Sequence, residues 1–122
     1  MGKKCRYSPS CSPGSTEIAV CKSGCNYSTI QGAIDDSSAG DKIFIIDGGV
    51  YEENVVVDST TASWIDCQAG ANISGVSGDG FYFNETDDFV IVNCNIDHFT
   101  NGIHLLSSSG LIKNITLRDN GV

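Results

Sequence analysis

Basic residues are missing from most of this 122-residue chain. Between Lys42 and Lys113 there is no Lys or Arg, while ten Asp and Glu fall in that stretch, and the formal net charge is −8. A nucleic-acid surface needs the opposite sign to neutralise phosphates, so nucleic acid is excluded as a partner. An anionic polysaccharide would be repelled for the same reason unless a cation bridged the charges. The plain role of such a surface is to keep the protein solvated. Long hydrophobic runs are missing too: none approaches the roughly 20 apolar residues that span a bilayer, so no membrane insertion is expected. Met1 is followed by Gly-Lys-Lys and polar residues without an apolar h-region. A signal peptide is therefore not expected here, and either one has been removed or the numbering begins at a processed end. A Gly-rich phosphate loop, a Ser elbow and a nucleotide fingerprint are also absent.

What is present is turn chemistry and short apolar strands. Apolar residues make up 40% of the chain and charged residues 18%, which describes a globular rather than a disordered protein. Fourteen glycines among many Ser, Thr and Asn point to a turn-rich β fold. From Ile73 to Val122 a turn dipeptide followed by an apolar residue comes three times: Asp79-Gly80-Phe81, Asn101-Gly102-Ile103 and Asn120-Gly121-Val122. Between them a second apolar strand recurs, first at Phe89 to Val92 and then at Leu111 to Leu117. A β-sandwich would need such pairs close enough to end successive hairpins. A spacing of about 20 residues fits instead one corner per coil of a stacked solenoid. Coils then pair in parallel about 4.8 Å apart. Aligning them puts Asn93 under Asn114 and Ile96 under Leu117, and brings Cys67, Cys94 and Ile115 together. Cys67 and Cys94 are then either an interior disulfide or two buried thiols acting as small apolar residues.

The other four cysteines, Cys5, Cys11, Cys21 and Cys25, crowd into a polar segment too poor in apolar residues to build a core. Disulfides would staple it. Four zinc-bound thiolates are the rival, but the gaps of five, nine and three residues do not make two tight Cys-x-x-Cys pairs. Asn26, Asn72, Asn84 and Asn114 each begin an N-glycosylation sequon. Cysteines and sequons together point to an extracellular or cell-surface location.

One stretch has helical periodicity. Tyr27, Ile30, Ala33 and Ile34 share a face, Ser28 and Gln31 have capping-box spacing, and Gly40 fits a left-handed stop. Strands are expected at Ile43–Ile46, as a continuous apolar run in a well-covered position, then at Val55–Val57 and Trp64–Cys67. The segments Tyr27-Ser-Thr-Ile-Gln-Gly-Ala-Ile34, Ala39-Gly-Asp-Lys-Ile-Phe-Ile45 and Gly49-Val-Tyr-Glu-Glu-Asn-Val-Val56 resemble the start of right-handed parallel β-helix proteins. Pectin methylesterases and NosD-type carbohydrate-binding and sugar-hydrolase domains are the families concerned. Trp64–Cys67, Ile73–Phe83 and Asn101-Gly-Ile-His-Leu105 continue the pattern. The resemblance implies an all-β, right-handed parallel β-helix of about four coils over residues 26–122, after a Cys-rich arm over 1–25. A helix over 28–38 would cover its open bottom, and Glu53 would be tied up in backbone contacts. It implies no single activity, because such folds serve esterases, lyases, hydrolases, adhesins and stalks.

Candidate chemistry is sparse. Glu52-Glu53 and Asp87-Asp88 are adjacent carboxylates, and strand neighbours face opposite ways, so neither pair has the geometry of glycoside hydrolysis. His98 lies in a turn beside Asp97, and His104 lies on a strand and should point outward; neither has a nucleophile pattern nearby. Asp79, Asp87, Asp88 and Asp97 fall on loops of successive coils, where Ca²⁺ would find oxygen ligands, but no EF-hand or Gly-rich calcium repeat occurs. No cofactor and no catalytic residue is assigned. Phe81 and Phe83 are expected inside and Tyr82 outside, where its ring is a possible sugar contact. Finally, Val122 follows the Gly121 corner in mid-coil without an amphipathic cap. The expectation is a fragment, a longer chain partly seen, or an open end covered by another copy, and a head-to-tail contact that does not close makes filaments. The role expected is structural or adhesive, with self-association through the C-terminal coil and N-terminal arm. The alternatives are a carbohydrate-binding module and the first coils of a polysaccharide-active enzyme.

Overall fold

The structure, a computed structural model, describes residues 17–120. Its elements run β1 (Glu17–Val20), α1 (Ile30–Asp35), β2 (Lys42–Ile45), β3 (Val50–Tyr51), β4 (Val55–Asp58), β5 (Trp64–Cys67), β6 (Asn72–Ser74), β7 (Asp79–Asn84), β8 (Asp87–Val92), β9 (Asn95–Asp97), β10 (Asn101–Leu106), β11 (Ser109–Lys113) and β12 (Thr116–Arg118). All the strand pairs are parallel, and they form three sheets ordered β1-β2-β5-β8-β11, β3-β6-β9-β12 and β4-β7-β10. The chain winds through the three sheets in turn, as a right-handed parallel β-helix of several coils. The first sheet has five rungs among the described residues, one more than the four coils expected. The extra rung is β1, which pairs with β2 from Glu17↔Lys42 to Val20↔Ile45. Among the described residues the solenoid therefore reaches into the segment read as the Cys-rich arm, ahead of residue 26.

Alternation along each strand sends one set of side chains inward, and the parallel register stacks them. Ile18, Ile43, Ile65 and Ile91 form one interior ladder, and Tyr51, Ile73 and Ile96 another. All are buried, as are Phe81, Phe83 and Phe89, whose neighbouring rings stack (Phe83–Phe89 centroids 4.1 Å). Each such side chain taken out of water is worth roughly 1.5–3 kcal/mol. The 43–46 run is not covered on both sides as expected. Ile43 and Ile45 are buried, but Ile46 is 39% exposed, because only alternate residues reach the interior. The 111–117 segment is likewise two strands, β11 and β12, bent apart at Asn114.

The corners differ from expectation in an instructive way. Asp79-Gly80 and Asn101-Gly102 do lie in register one coil apart, but inside β7 and β10 rather than at turns. In the later coils the bends are made by left-handed residues that are not glycine, Glu85 and Ser107, Asn93 and Asn114, His98 and Asp119, at φ between 50° and 66°, while Gly70 and Gly78 (φ 74° and 76°) take the same region at two bends of the preceding coil. Short polar side chains tolerate that region best. The glycine at 80 is needed for space, since a Cβ there would lie 2.5 Å from the Gly102 carbonyl oxygen. Asn120 accepts from the Phe99 amide (2.9 Å), while Gly121 and Val122 lie outside the described residues. Asn114 does stack on Asn93 (3.3 Å), which in turn donates to Asp66 (2.9 Å), and Leu117 does pair with Ile96.

The helix is shorter than expected and capped differently. It spans Ile30–Asp35, packs Ile30, Ala33 and Ile34 inward, and has Thr29, not Ser28, as its N-cap, accepting from Gly32 N–H. Two further amide donors, of Ile30 and Gln31, are taken by the Glu53 carboxylate at 2.7 and 3.0 Å. The cap thus comes partly from the next coil, and Gln31 is freed to bridge to the Val56 backbone. The helix ends at Asp35, so Gly40 (φ +94°) is not its stop but a turn residue before β2.

Two disulfides form among the described residues. Cys21–Cys25 closes a short exposed loop, and Cys67–Cys94 joins successive coils with Cα atoms 5.0 Å apart. Of the two readings of Cys67 and Cys94, the disulfide is the one adopted. Cys5 and Cys11 lie outside the described residues.

Candidate functional site

The outer face of the β4-β7-β10 sheet collects side chains that the sequence presents as unrelated. In register, Val56, Tyr82 and His104 form one outward row, and Asp58, Asn84 and Leu106 the next. Tyr82 points out between the buried Phe81 and Phe83, as alternation requires. Its ring lies 4.8 Å from the His104 imidazole at a 44° tilt. His104 Nδ1 is 3.0 Å from Asp79 Oδ2, and Asn101 donates to Asp79 Oδ1 at 3.0 Å. An ionised carboxylate can only accept, so Nδ1 carries the proton in this contact. Partial burial pushes the Asp79 carboxyl up, but the Asn101 and His104 hydrogen bonds and the imidazole outweigh it and hold the group below the usual carboxylate range. Alongside runs a shallow cleft of about 260 Å³ lined by Asn54, Val56, Ser77, Asp79 and Tyr82. Asn54 is fixed there by donating to the Ser77 and Asp79 carbonyls. The Tyr82 hydroxyl makes no hydrogen bond among the described residues.

The other aromatic side chains are less available. Tyr51 is buried and donates to Asp47 (2.7 Å), with Lys22 Nζ 4.2 Å from its ring centroid. Tyr27 donates to Asp36. Trp64 does face outward on the β1-β2-β5-β8-β11 sheet, but Lys42 Nζ sits 4.1 Å from its ring centroid.

A second polar cluster lies on the outer face of β6, β9 and β12. Asn72, Asn95 and Thr116 form one row, Ser74, Asp97 and Arg118 the next, around a cleft of about 280 Å³. His98 Nδ1 lies 3.0 Å from Asp97 Oδ1, without the alignment of a hydrogen bond. Partial burial raises the Asp97 carboxyl, but Ser74, His98 and Asn72 more than offset this and lower it. No hydroxyl or thiol is hydrogen-bonded to either imidazole among the described residues.

The structure does not bring the remaining candidates together. Glu53 is occupied by the helix amides, with Glu52 exposed beside it. Asp87 and Asp88 are both exposed because Asp88 (φ 62°) is the extra residue of a bulge opposite Ser109–Gly110. Asp79, Asp87, Asp88 and Asp97 belong to strands rather than loops, and among the described residues no three acidic, His or Cys side chains are placed to hold a metal ion. Of the sequon asparagines, Asn26 and Asn114 are exposed and Asn72 and Asn84 half-buried. Among the described residues no helix is long and apolar enough to cross a membrane. What sequence reasoning missed is the pairing of Asp79 with His104, 25 residues apart. The register Asp79↔Asn101 would have revealed it, since it sets His104 beside Tyr82.

Comparison of the chain with protein-family models, curated proteins and solved structures found no match.

Proposed function

We propose that this chain is an extracellular β-helix module with an adhesive or structural role, and that it holds neutral carbohydrate on the Tyr82 face. The observation that carries this is the Tyr82–His104–Asp79–Asn101 arrangement. An aromatic ring with an unengaged hydroxyl offers a platform for the apolar C–H face of a pyranose. Beside it stand an oriented imidazole and fixed amide groups that can hydrogen-bond sugar hydroxyls. The acidic surface favours neutral sugars over uronates. Two disulfides and four sequons support the extracellular setting, and the sequence resemblance to carbohydrate-binding β-helix domains agrees with the ligand class. The test is calorimetric titration with cellopentaose, mannopentaose and chitopentaose. Tyr82→Ala is expected to weaken binding about tenfold, the equivalent of about 1.4 kcal/mol. Equal binding by wild type and Tyr82→Ala would sink the reading. Release of sugar from a polysaccharide would replace it with that of a polysaccharide-active enzyme.

A second reading, end-to-end self-association, is favoured by one observation. The inward-pointing residues of the last described coil, Leu105, Ile112 and Leu117, are exposed. They fit a further β-coil, supplied by a following segment of the same polypeptide or by a second copy. Light scattering and electron microscopy over a concentration series test the second copy; a monomer at every concentration eliminates it.

A further inference from the structure

Tyr82 and Asn84 are alternate residues of β7, so they stand on the same outer face about 6.8 Å apart. Asn84 is a sequon asparagine. We propose that the first N-acetylglucosamine of a glycan on Asn84 packs against the Tyr82 ring, so that the protein's own glycan regulates the carbohydrate face by occupying it. This rests on the carbohydrate-binding reading of that face.

Three observations single out Asn84. Its amide makes no hydrogen bond among the described residues, whereas Asn114 donates to Asn93 and Asn72 is engaged by Asp97. Its neighbour in the row above, Leu106, is 47% exposed and extends the apolar floor that begins at Tyr82. No other sequon asparagine has an aromatic residue two positions before it on an outward strand face: the residues at 24, 70 and 112 are Gly, Gly and Ile.

The modification has to precede folding. Thr86, the third sequon residue, is buried, with its hydroxyl donating to the Asn84 carbonyl at 3.0 Å. Transfer therefore takes place on the unfolded chain, from a lipid-pyrophosphate-linked oligosaccharide. Asn84 Nδ2 forms the bond to the anomeric carbon as the bond from that carbon to the pyrophosphate oxygen breaks. The lipid pyrophosphate leaves with the electron pair, and the amide gives up one proton.

The experiment uses the full chain made in an N-glycosylating host and trimmed enzymatically to one N-acetylglucosamine per site. Peptide mass mapping reads occupancy, thermal unfolding reads stability, and titration with cellopentaose and chitopentaose reads the face. Occupied Asn84 is expected to raise Tm by about 4 °C over Asn84→Gln when Tyr82 is present, and by nothing measurable in Tyr82→Val. In wild type the sugar's ring protons should show ring-current shifts and contacts to the Tyr82 ring by NMR, a readout that needs no variant to fold. The occupied protein should bind the oligosaccharides at least about tenfold more weakly than Asn84→Gln. An unoccupied Asn84, or an occupied one with equal Tm gain in both backgrounds and no ring-current shift, overturns the proposal while leaving the binding reading to stand if Asn84→Gln takes up sugar. Conversely, coupling between glycan and Tyr82 with no sugar bound by Asn84→Gln overturns the regulatory role and the binding reading together, and leaves only the packing contact.

Discussion

Phe83 and Leu105 occupy the same inward position one coil apart, as do Ile91 and Ile112, and Ile96 and Leu117. The first of each pair is at most 1% exposed, while Leu105, Ile112 and Leu117 are 42%, 44% and 53% exposed. Strand, direction and residue class are the same. What differs is whether another coil lies on top. In a solenoid, burial belongs to the neighbour as much as to the residue, so stability is a sum over adjoining coils. The comparison between the inner coils and the last one can be broken or sharpened by substitution.

The largest effect is expected from Phe83→Ala. Its ring packs against Phe89 and Phe81 in the closed interior, so truncation should cost about 3–5 kcal/mol in urea denaturation. Leu105→Ala, directly above it, should cost less than about 1 kcal/mol because a half-exposed side chain leaves little cavity. Similar costs at the two positions would show that something covers the last coil in solution. Next comes the Cys67–Cys94 disulfide, which ties two inner coils across a separation of 27 residues. Replacing both cysteines by Ala should lower stability by about 3.5 kcal/mol on the loop-entropy account, against about 2 kcal/mol for the Cys21–Cys25 loop. Urea midpoints of the two double variants decide between them, and the reverse order would mean that the exposed loop, not the inter-coil bond, limits unfolding.

A subtler version of the same contrast concerns the repeated glycines. Adding a Cβ at Gly80 meets the Gly102 backbone oxygen at 2.5 Å, whereas at Gly102 the nearest atoms are the tips of Leu117 (2.8 Å) and Asn120 (3.1 Å). Backbone held between two coils cannot move aside, but side chains of the last coil can. Gly80→Ala should therefore cost about 2–3 kcal/mol and Gly102→Ala under about 1 kcal/mol, on the usual scale of overpacking.

These glycines also show how far the fold was legible. The repeat of Asp-Gly and Asn-Gly announced the coil and its register, because stacked coils demand equivalent residues at equivalent places. It misled about the corners, because glycine was read as conformational freedom when Gly80 is there for close approach. The true corner residues, such as Glu85, Ser107 and His98, carry no distinctive local signal; the stacked coils impose their left-handed backbone. The helix cap was misplaced for a related reason: Glu53, whose backbone contacts the resemblance did imply, reaches the helix from the next coil, and no local capping pattern contains it. The candidate site was half legible. Alternation put Tyr82 outside, but its partners Asp79 and His104 meet only once the register is known.

The smallest effect is expected from acid, acting on the clamp between neighbouring coils. Asp79 on β7 holds Asn101 and His104 on β10, and its carboxyl lies below the ordinary value of 3.8. A carboxyl lowered on folding contributes stability that is present above its unfolded pKa and is lost as pH falls through the folded one. Tm should therefore hold steady down to about pH 4, near the unfolded value, and fall below it. Asp97 and Asp47, both also lowered, contribute in the same direction, so Asp79→Asn should remove only part of the acid loss. The same variant takes away the carboxylate that orients the His104 imidazole, so the proposed sugar binding at neutral pH should weaken more than stability does. Unchanged binding in Asp79→Asn, with Tm measured beside it, would show that Tyr82 holds its ligand without the oriented imidazole. The row of outward residues, rather than the inter-coil clamp, would then define the site.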